Sequence, residues 1–194
     1  GVTACSIASK QFCDTRAEND FTRGYMLQML RSLGPVMTAL GGYGVPQEWG
    51  KGHRARFDTT FNHTASIAVV CEDLPEPDNR VTLDPTLEDS SGLPAPQIHY
   101  RVSSNSKKML KQGRERCEEI LTRAGAGEVR HIPLLQGAGF HLMGTARMGE
   151  DPKRFVTNEW GRTHDIKNLF IADGSLFTSA AAVNPTATIQ ALAL

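Results

Sequence analysis

The sequence predicts an α+β fold with a largely antiparallel sheet, and three observations carry that prediction. Short runs rich in β-branched residues lie close together within residues 57–102, separated by turn-forming residues. An amphipathic helix is predicted at residues 105–123, and a short apolar run followed by a helix-initiating sequence comes near the end. Strands that cluster, rather than alternate with helices, are typical of the α+β class.

The composition is that of a globular chain without a strong electrostatic preference. Of its 194 residues 40% are hydrophobic, and 21 basic side chains balance 21 acidic ones, so charge does not favour nucleic acid or a membrane surface as a partner. No apolar run is long enough to span a bilayer. The six histidines lack HxH or HxxxH spacing and the four cysteines lack CxxC spacing, so no metal site is predicted.

The first fifty residues predict no clear element. Residues 21–40 form an apolar stretch that Gly24, Gly34 and Pro35 interrupt. Its methionines and leucines are predicted to belong to the core rather than to a cofactor site. These core candidates are Met26, Leu27, Met29, Leu30, Leu33 and Met37. The glycine-rich residues 41–46 neither follow a clear strand nor match GxGxxG, so a loop is predicted rather than a phosphate-binding turn.

The middle of the chain contains the predicted sheet. Its strands are expected at residues 66–71, 80–84 and 97–102. Turn-forming residues at 74–79 predict a hairpin-like connection between the first two, and antiparallel pairing is the simplest arrangement for runs this close together. His63 and His99 lie in or near these strands and are interpreted as structural histidines.

The clearest predicted helix covers residues 105–123. Apolar residues recur on one face with charged residues opposite, which is typical of a helix packed on a core. The apolar stripe is Met109, Leu110, Gly113, Cys117, Ile120 and Leu121. Ser104 or Asn105 is expected to cap its start and Gly125 to end it. Residues 130–135 are either one more strand or an extended lead-in to the final third.

Three blocks in the final third could carry chemistry. His141 lies beside a glycine-rich turn, and imidazole titrates in the range that a general base requires. Residues 169–172 predict a buried strand with Asp173 and Gly174 at its carboxyl end, where ligands of open α/β sheets bind. Asn184 suits a helix cap and Pro185 the first helical position, and a helix start favours anions. Together these blocks could surround a flat, partly anionic cofactor.

The same blocks resemble a known family. The patterns HxxGTxRMGxDP, NLFIADGS and NPTATIxALA are similar to the C-terminal signature of the glucose–methanol–choline (GMC) oxidoreductases, which are FAD-dependent enzymes that oxidise alcohols. Residues 23–28 and 74–85 are similar to substrate-domain segments of bacterial, sugar- or polyol-oxidising members. The resemblance implies that residues 1–135 are part of a substrate-binding domain. Residues 136–194 would then add a strand and a helix to an α/β FAD-binding domain.

The resemblance also implies roles for individual residues. His141 matches the histidine beside the flavin N5 and is expected to act as general base while hydride passes to N5. Asn184 matches its partner and is expected to bind the substrate oxygen. The expected cofactor contacts are Asp173, Gly174, Asn184, Pro185 and Thr186. The implied reaction is oxidation of a CH–OH group of a sugar, glycoside or polyol to a carbonyl.

Two departures from the family pattern qualify these expectations. Thr157 and Asn158 stand where many members have Val-Asp, a position outside the presumed reaction centre. The GxGxxG motif that holds the ADP half of FAD does not occur in these residues. The chain is therefore expected to be the C-terminal part of a longer polypeptide, and to be inactive and without stably bound FAD when alone.

Several alternatives stay open at this point. The substrate could instead be an aryl or simple alcohol, or the chain could be a non-catalytic domain that keeps the fold. Oxygen, a quinone and a cytochrome are all compatible electron acceptors. Oligomeric state is open, and so is a cytoplasmic or periplasmic location, because the natural N-terminus is not in this chain.

Overall fold

The computed structural model describes residues 7–30, 33–42, 49–132, 134, 139 and 141–193. Helices combine with antiparallel sheets, so the predicted α+β class is confirmed. The strands are β1 (Ile7–Ser9), β2 (Tyr25–Leu30), β3 (Ser66–Cys71), β4 (Arg80–Glu88) and β5 (Pro94–His99). The helices are α1 (Pro35–Leu40), α2 (His53–Thr60), α3 (Ser104–Arg123) and α4 (Thr186–Ala193), with a 3₁₀ turn at Gly174–Leu176. None of the described helices is both long and apolar enough to cross a membrane.

The central strand β2 lies between β1 and β3 in a three-stranded antiparallel sheet. Met26 and Leu27 are buried, as predicted for this apolar stretch. Met29 and Met37 are instead 36% and 45% exposed, so the core prediction was wrong for them. Gly34 and Pro35 separate the stretch into a strand and a short helix, and the six residues of α1 bury only Thr38.

Strand pairing differs from the predicted hairpin. β3 pairs along all six of its residues with β2, whereas β4 pairs with β5 in a separate two-stranded sheet. The prediction of antiparallel strands was therefore right, but the predicted pairing of residues 66–71 with 80–84 was wrong, because each of these runs pairs with another strand instead. Pro94 and Pro96 are tolerated in β5 because each strand of a two-stranded sheet has a free edge. Residues 57–60, predicted as part of the sheet region, belong to α2.

The helix α3 confirms the predicted amphipathic helix and supplies one side of the core. Its cap is Ser103, one residue before the predicted candidates, and the Ser103 side chain accepts a hydrogen bond from the Ser106 N–H. Met109 and Cys117 are buried, but Ile120 is 40% exposed, so the buried stripe ends earlier than predicted. The core packed beneath α3 comprises Phe21, Tyr25, Leu27, Met109 and Cys117. The described cysteines Cys13, Cys71 and Cys117 are free thiols.

Close packing between α3 and β3 depends on Gly113. A Cβ at this position would lie 2.4 Å from Val69 Cγ1, closer than carbon atoms can approach. The glycine therefore lets the helix backbone rest directly on the sheet. In a helix interior this residue costs about 1 kcal/mol relative to alanine, a cost that the packing offsets.

Residues 141–193 fold mainly through loops and isolated β-bridges before α4. The predicted strand at residues 169–172 was wrong: Leu169 and Phe170 are 46% and 59% exposed, and Phe170 makes only an isolated bridge to Arg162. A strand requires a continuous pairing partner, and this run has none among the described residues. The helix α4 confirms the predicted C-terminal helix but starts one residue later than predicted.

Some predictions fall on residues outside the described ranges. These are most of the loop at 41–46, the end of the possible strand at 130–135, the domain boundary between residues 135 and 136, Cys5 and Leu194. The division into two domains accordingly stays a prediction.

Candidate functional site

The segment that carries His141 runs beside the 3₁₀ turn. The Ala146 N–H donates to the Ser175 carbonyl at 3.1 Å, and the Met148 N–H donates to the Leu176 carbonyl at 2.8 Å. Gly144 has φ of 80°, a left-handed conformation that glycine adopts without strain. Leu176 is 1% exposed, and its buried side chain anchors the segment at residues 174–177 with which residues 146 and 148 pair. These contacts hold residues 141–148 against residues 174–177 without regular secondary structure.

The three sequence blocks meet at Gly174. A Cβ built there would lie 3.1 Å from the Leu142 carbonyl oxygen and 3.5 Å from Ile189 Cδ1. Leu142 follows His141, and Ile189 lies in the first turn and a half of α4, just after Asn184. The structure thus brings the His141 segment, the Asp173-Gly174 pair and the start of α4 together. The three blocks therefore lie around one position, as expected from the sequence.

Asp173 is an ionised cap of the 3₁₀ turn. Its Oδ1 accepts a hydrogen bond from the Ser175 N–H at 2.8 Å. Hydrogen bonds from the Ser175 side chain and then from its backbone N–H hold the pKa of this carboxyl below its usual value. The carboxylate therefore presents acceptors, which suit the hydroxyl groups of a ligand better than its phosphates.

The start of α4 presents backbone donors. Its first hydrogen bond runs from the Ile189 N–H to the Pro185 carbonyl at 3.0 Å, so the N–H groups of the preceding helical residues have no partner within the helix. Asn184 and Thr186 are exposed there. Ala181 and Ala182 approach the helix with φ of 51° and 56°, a conformation that costs residues other than glycine about 1 kcal/mol or more. Small side chains make this tight approach sterically feasible.

The two predicted catalytic side chains are exposed and available. His141 and Asn184 each lie at the surface, and neither side chain makes a hydrogen bond to any other described residue. A structural histidine would usually have its ring nitrogens paired, as His164 does with the Gly149 carbonyl at 3.0 Å. The imidazole of His141 is therefore free to accept a proton from a ligand, and the amide of Asn184 is free to donate to one.

Sequence reasoning missed a second group of residues that support the His141 segment. Arg147 stacks on the Phe155 ring, with its guanidinium carbon 5.5 Å from the ring centre. Phe155 in turn lies where a Cβ of Gly149 would be, with ring atoms 2.3–2.6 Å from that position. The turn that places Phe155 is closed by its N–H donating to the Asp151 carbonyl at 3.0 Å. The RMGxDP pattern was the signal that could have identified this group.

Thr157 packs behind the same loop. It is fully buried, and its Oγ1 has no hydrogen-bond partner. The Thr157 carbonyl accepts from the Gly149 N–H at 2.8 Å, so its backbone supports the loop even though its hydroxyl is unsatisfied. Among the residues that the structure describes, no three His, Cys, Asp or Glu side chains gather as metal ligands.

Comparisons with known proteins place this site in a family. Residues 75–193 match the family model of the GMC oxidoreductases, so the chain belongs to the GMC oxidoreductase family and corresponds to a C-terminal part of its members. Among its relatives, it is 40% identical to 2-methyl-1,2-propanediol dehydrogenase of Mycolicibacterium austroafricanum, over 100% of this chain and 36% of the relative. It is 42% identical to 6'''-hydroxyparomomycin C oxidase of Streptomyces lividus, over 66% of this chain and 23% of the relative.

A solved structure has a similar fold. The match to pyridoxine 4-oxidase from Mesorbium loti has a TM-score of 0.55 at 17% identity and covers 89% of this chain and 33% of that one. The chain therefore spans only about a third of the length of these proteins.

The described residues fit one part of the FAD that this family generally binds. Gly174 allows backbone to approach closely, and the start of α4 beside it offers unpaired N–H donors. Asp173 offers an acceptor for ligand hydroxyl groups. No glycine-rich strand–turn–helix motif for the nucleotide half occurs in the sequence. The described residues therefore do not include the family's motif for the nucleotide half of the cofactor.

Proposed function

We propose that the protein containing this chain is an FAD-dependent oxidoreductase that converts a CH–OH group of a sugar, glycoside or polyol to a carbonyl. The observation that carries the proposal is the meeting of three segments at Gly174, where the Leu142 carbonyl and Ile189 of α4 lie within 3.1 and 3.5 Å of a built Cβ. This meeting places His141 and Asn184, both exposed and unpaired among the described residues, on neighbouring segments.

The relatives support alcohol oxidation as the reaction class. Besides the diol dehydrogenase, they include the large subunit of fructose dehydrogenase from Gluconobacter japonicus, 35% identical over 68% of this chain. A paromamine 6'-oxidase from Streptomyces fradiae is 37% identical over 66% of it. Oxidases and dehydrogenases both occur among them, so oxygen, a quinone and a cytochrome all stay candidate electron acceptors.

The cofactor would supply the hydride acceptor when it is bound. Asp173, Gly174, Asn184, Pro185 and Thr186 would hold its reactive end, through the Asp173 carboxylate and the backbone donors at the start of α4. Because the nucleotide half requires residues that this chain lacks, the chain alone is expected not to retain FAD and to be inactive.

His141 and Asn184 would have different roles toward the substrate hydroxyl group. A neutral imidazole nitrogen of His141 would accept the proton of the substrate hydroxyl, because its side chain is exposed and its lone pair is accessible. The amide N–H₂ of Asn184 donates to the same oxygen as negative charge develops on it, which stabilises the transition state more than the ground state. The two side chains together would remove the proton and hold the oxygen.

The proposal is tested by the visible spectrum of the full-length protein. We expect absorbance bands typical of bound flavin that bleach under anaerobic conditions when a sugar or polyol is added. The separately expressed chain of 194 residues serves as the control and is expected to show no such bands. A full-length protein that purifies without flavin, or whose flavin no alcohol bleaches, would contradict the proposal and favour a non-catalytic domain.

A second substrate class has one specific observation in its favour. One relative that matches the whole chain, at 40% identity, is 2-methyl-1,2-propanediol dehydrogenase, which is named for a small diol. A panel that compares this diol with fructose and other sugars by kcat/KM decides between the classes. A preference of at least about tenfold for the diol, corresponding to about 1.4 kcal/mol, would favour a simple alcohol as substrate.

A further inference from the structure

Arg147 connects the His141 segment to the loop behind it through three contacts. Its guanidinium Nη2 donates to the Arg154 carbonyl at 3.2 Å, and the same group stacks on the Phe155 ring. Its own carbonyl accepts from the Val156 N–H at 3.1 Å. Arg147 therefore fastens residues 141–149 to residues 154–156 through two contacts of its half-buried side chain and one of its backbone, six residues beyond His141.

Arg154 provides a natural comparison within the same cluster. Its guanidinium also lies over the Phe155 ring, with the guanidinium carbon 5.8 Å from the ring centre. It is exposed, and its side chain makes no hydrogen bond to another described residue. The two arginines thus share the ring contact, but only the side chain of Arg147 makes a hydrogen bond across to the other loop.

We propose that Arg147 is a positioning residue that sets the location of His141 in the reaction centre, an inference that rests on the proposed catalytic role of His141. The Arg147 guanidinium is engaged with the Arg154 carbonyl and the Phe155 ring, so its contacts lie with the loop at residues 154–155. These contacts hold the backbone from which His141 extends.

A short series of backbone contacts connects the residues beside Arg147 to α4. Residues adjacent to Arg147 on either side, Ala146 and Met148, hydrogen-bond to Ser175 and Leu176 beside Gly174. The Leu142 carbonyl then lies against Gly174 and hence against α4. In Arg147→Ala these backbone hydrogen bonds remain, but the guanidinium contacts with the Arg154 carbonyl and the Phe155 ring are lost. The segment then has less support on the side of residues 154–155, and a displacement of about 1 Å can cost on the order of 100-fold in rate.

The test compares Arg147→Ala with the matched control Arg154→Ala in the full-length holoenzyme. For Arg147→Ala we expect kcat and the rate of flavin reduction to fall about 10- to 100-fold. KM is expected to change less than about threefold, because the substrate-binding surface is unaltered. Arg154→Ala is expected to stay within about threefold of the unsubstituted enzyme in both parameters. Added guanidinium ion at low millimolar concentration should restore part of the lost rate in Arg147→Ala and none in His141→Ala.

A purely structural role would give a different pattern. Equal losses of rate in the two alanine variants, or a loss in Arg147→Ala that follows reduced FAD content and that guanidinium does not restore, would overturn the inference. If Arg147→Ala does not accumulate as folded holoenzyme, kcat and the rate of flavin reduction are measured in Arg147→Lys instead. Lysine keeps the charge but cannot reproduce both the stacking and the fixed donor geometry, so a clear fall in kcat is expected.

The variant His141→Ala distinguishes a failure of this inference from a failure of the proposed function. If His141→Ala reduces its flavin at the unsubstituted rate, the catalytic role of His141 fails and the inference fails with it. If His141→Ala is inactive while Arg147→Ala is fully active, only the positioning role of Arg147 is overturned.

Discussion

Replacing Gly149 with alanine should destabilise the loop that supports His141. A Cβ at Gly149 would lie 2.3 Å from Phe155 Cγ and 2.4–2.6 Å from the two Cδ atoms. These atoms are at the base of the ring, so rotation of a flexible side-chain end cannot relieve the clash. Either the ring leaves its position or the backbone of one loop moves.

The expected cost follows from two contributions. Overpacking of this kind typically costs about 1–3 kcal/mol. Displacement of the ring also weakens the stacking of Arg147, worth about 0.5–1 kcal/mol at a partly exposed site. We therefore expect Gly149→Ala to lower the free energy of unfolding by about 2–3 kcal/mol. Gly139→Ala is the control, because its Cβ would make only an ordinary contact, at 3.5 Å from Leu142 Cδ2.

Urea unfolding of the full-length protein with a double-mutant cycle tests this reasoning. In a Phe155→Ala background the clashing ring atoms are absent, so adding Gly149→Ala should cost less than about 0.5 kcal/mol there. A destabilisation of Gly149→Ala that is equally large with and without the ring, or no destabilisation in either background, would refute the steric explanation.

Three further predictions concern stability. Thr157→Val should stabilise the protein by about 1 kcal/mol in thermal or urea unfolding, because the buried Oγ1 has no partner. Thr163→Val should instead destabilise it, because that hydroxyl hydrogen-bonds to the backbone, and a gain in both variants would contradict the explanation. Gly113→Ala should lower the free energy of unfolding by about 1–2 kcal/mol, after its gain in helix propensity is included, because the new Cβ clashes with Val69. Adding Val69→Ala should restore this stability. A Gly113→Ala variant that is more stable than the unsubstituted protein would show that helix propensity outweighs the clash. The lowered pKa of Asp173 predicts a contribution to stability that is present above about pH 4 and lost as pH falls further. Asp173→Asn should therefore be less stable than the unsubstituted protein at about pH 6 but not at about pH 2. A difference in unfolding free energy between the two proteins that stays the same at both pH values would contradict this prediction.

Local patterns predicted the helices α3 and α4, but not α1 or α2. The stripe that includes Met109, Gly113 and Cys117 identified α3, because a period near 3.6 residues is visible in the sequence itself. The Asn184-Pro185 pair likewise identified the start of α4 to within one residue.

Strand partners were less predictable because pairing is non-local. The turn residues at 74–79 favoured a hairpin, yet β3 pairs with β2, whose residues lie about forty positions earlier in the chain. The apolar run at residues 169–172 looks like a buried strand, but apolar character does not specify which strand lies alongside it. Its exposure in this chain follows from the lack of a continuous partner among the described residues.

The sequence indicated which three blocks form the candidate site, but not the contacts of the loops that support it. The order of the His141, Asp173-Gly174 and Asn184 blocks indicated that they belong together. The contacts of Phe155 with Gly149 and Arg147 depend on how two irregular loops fold onto each other, which no periodicity encodes. The same is true of the unsatisfied hydroxyl of Thr157.

The most direct test of the proposed chemistry is the rate at which substrate reduces the flavin in full-length His141→Ala, followed by anaerobic stopped-flow absorbance. Loss of a general base is expected to slow this step at least 100-fold while FAD stays bound. Asn184→Ala should slow it less, because hydrogen bonding to the oxygen is lost but proton removal is not. A His141→Ala enzyme that retains its flavin and is reduced at the unsubstituted rate would contradict the assignment of His141 as the base.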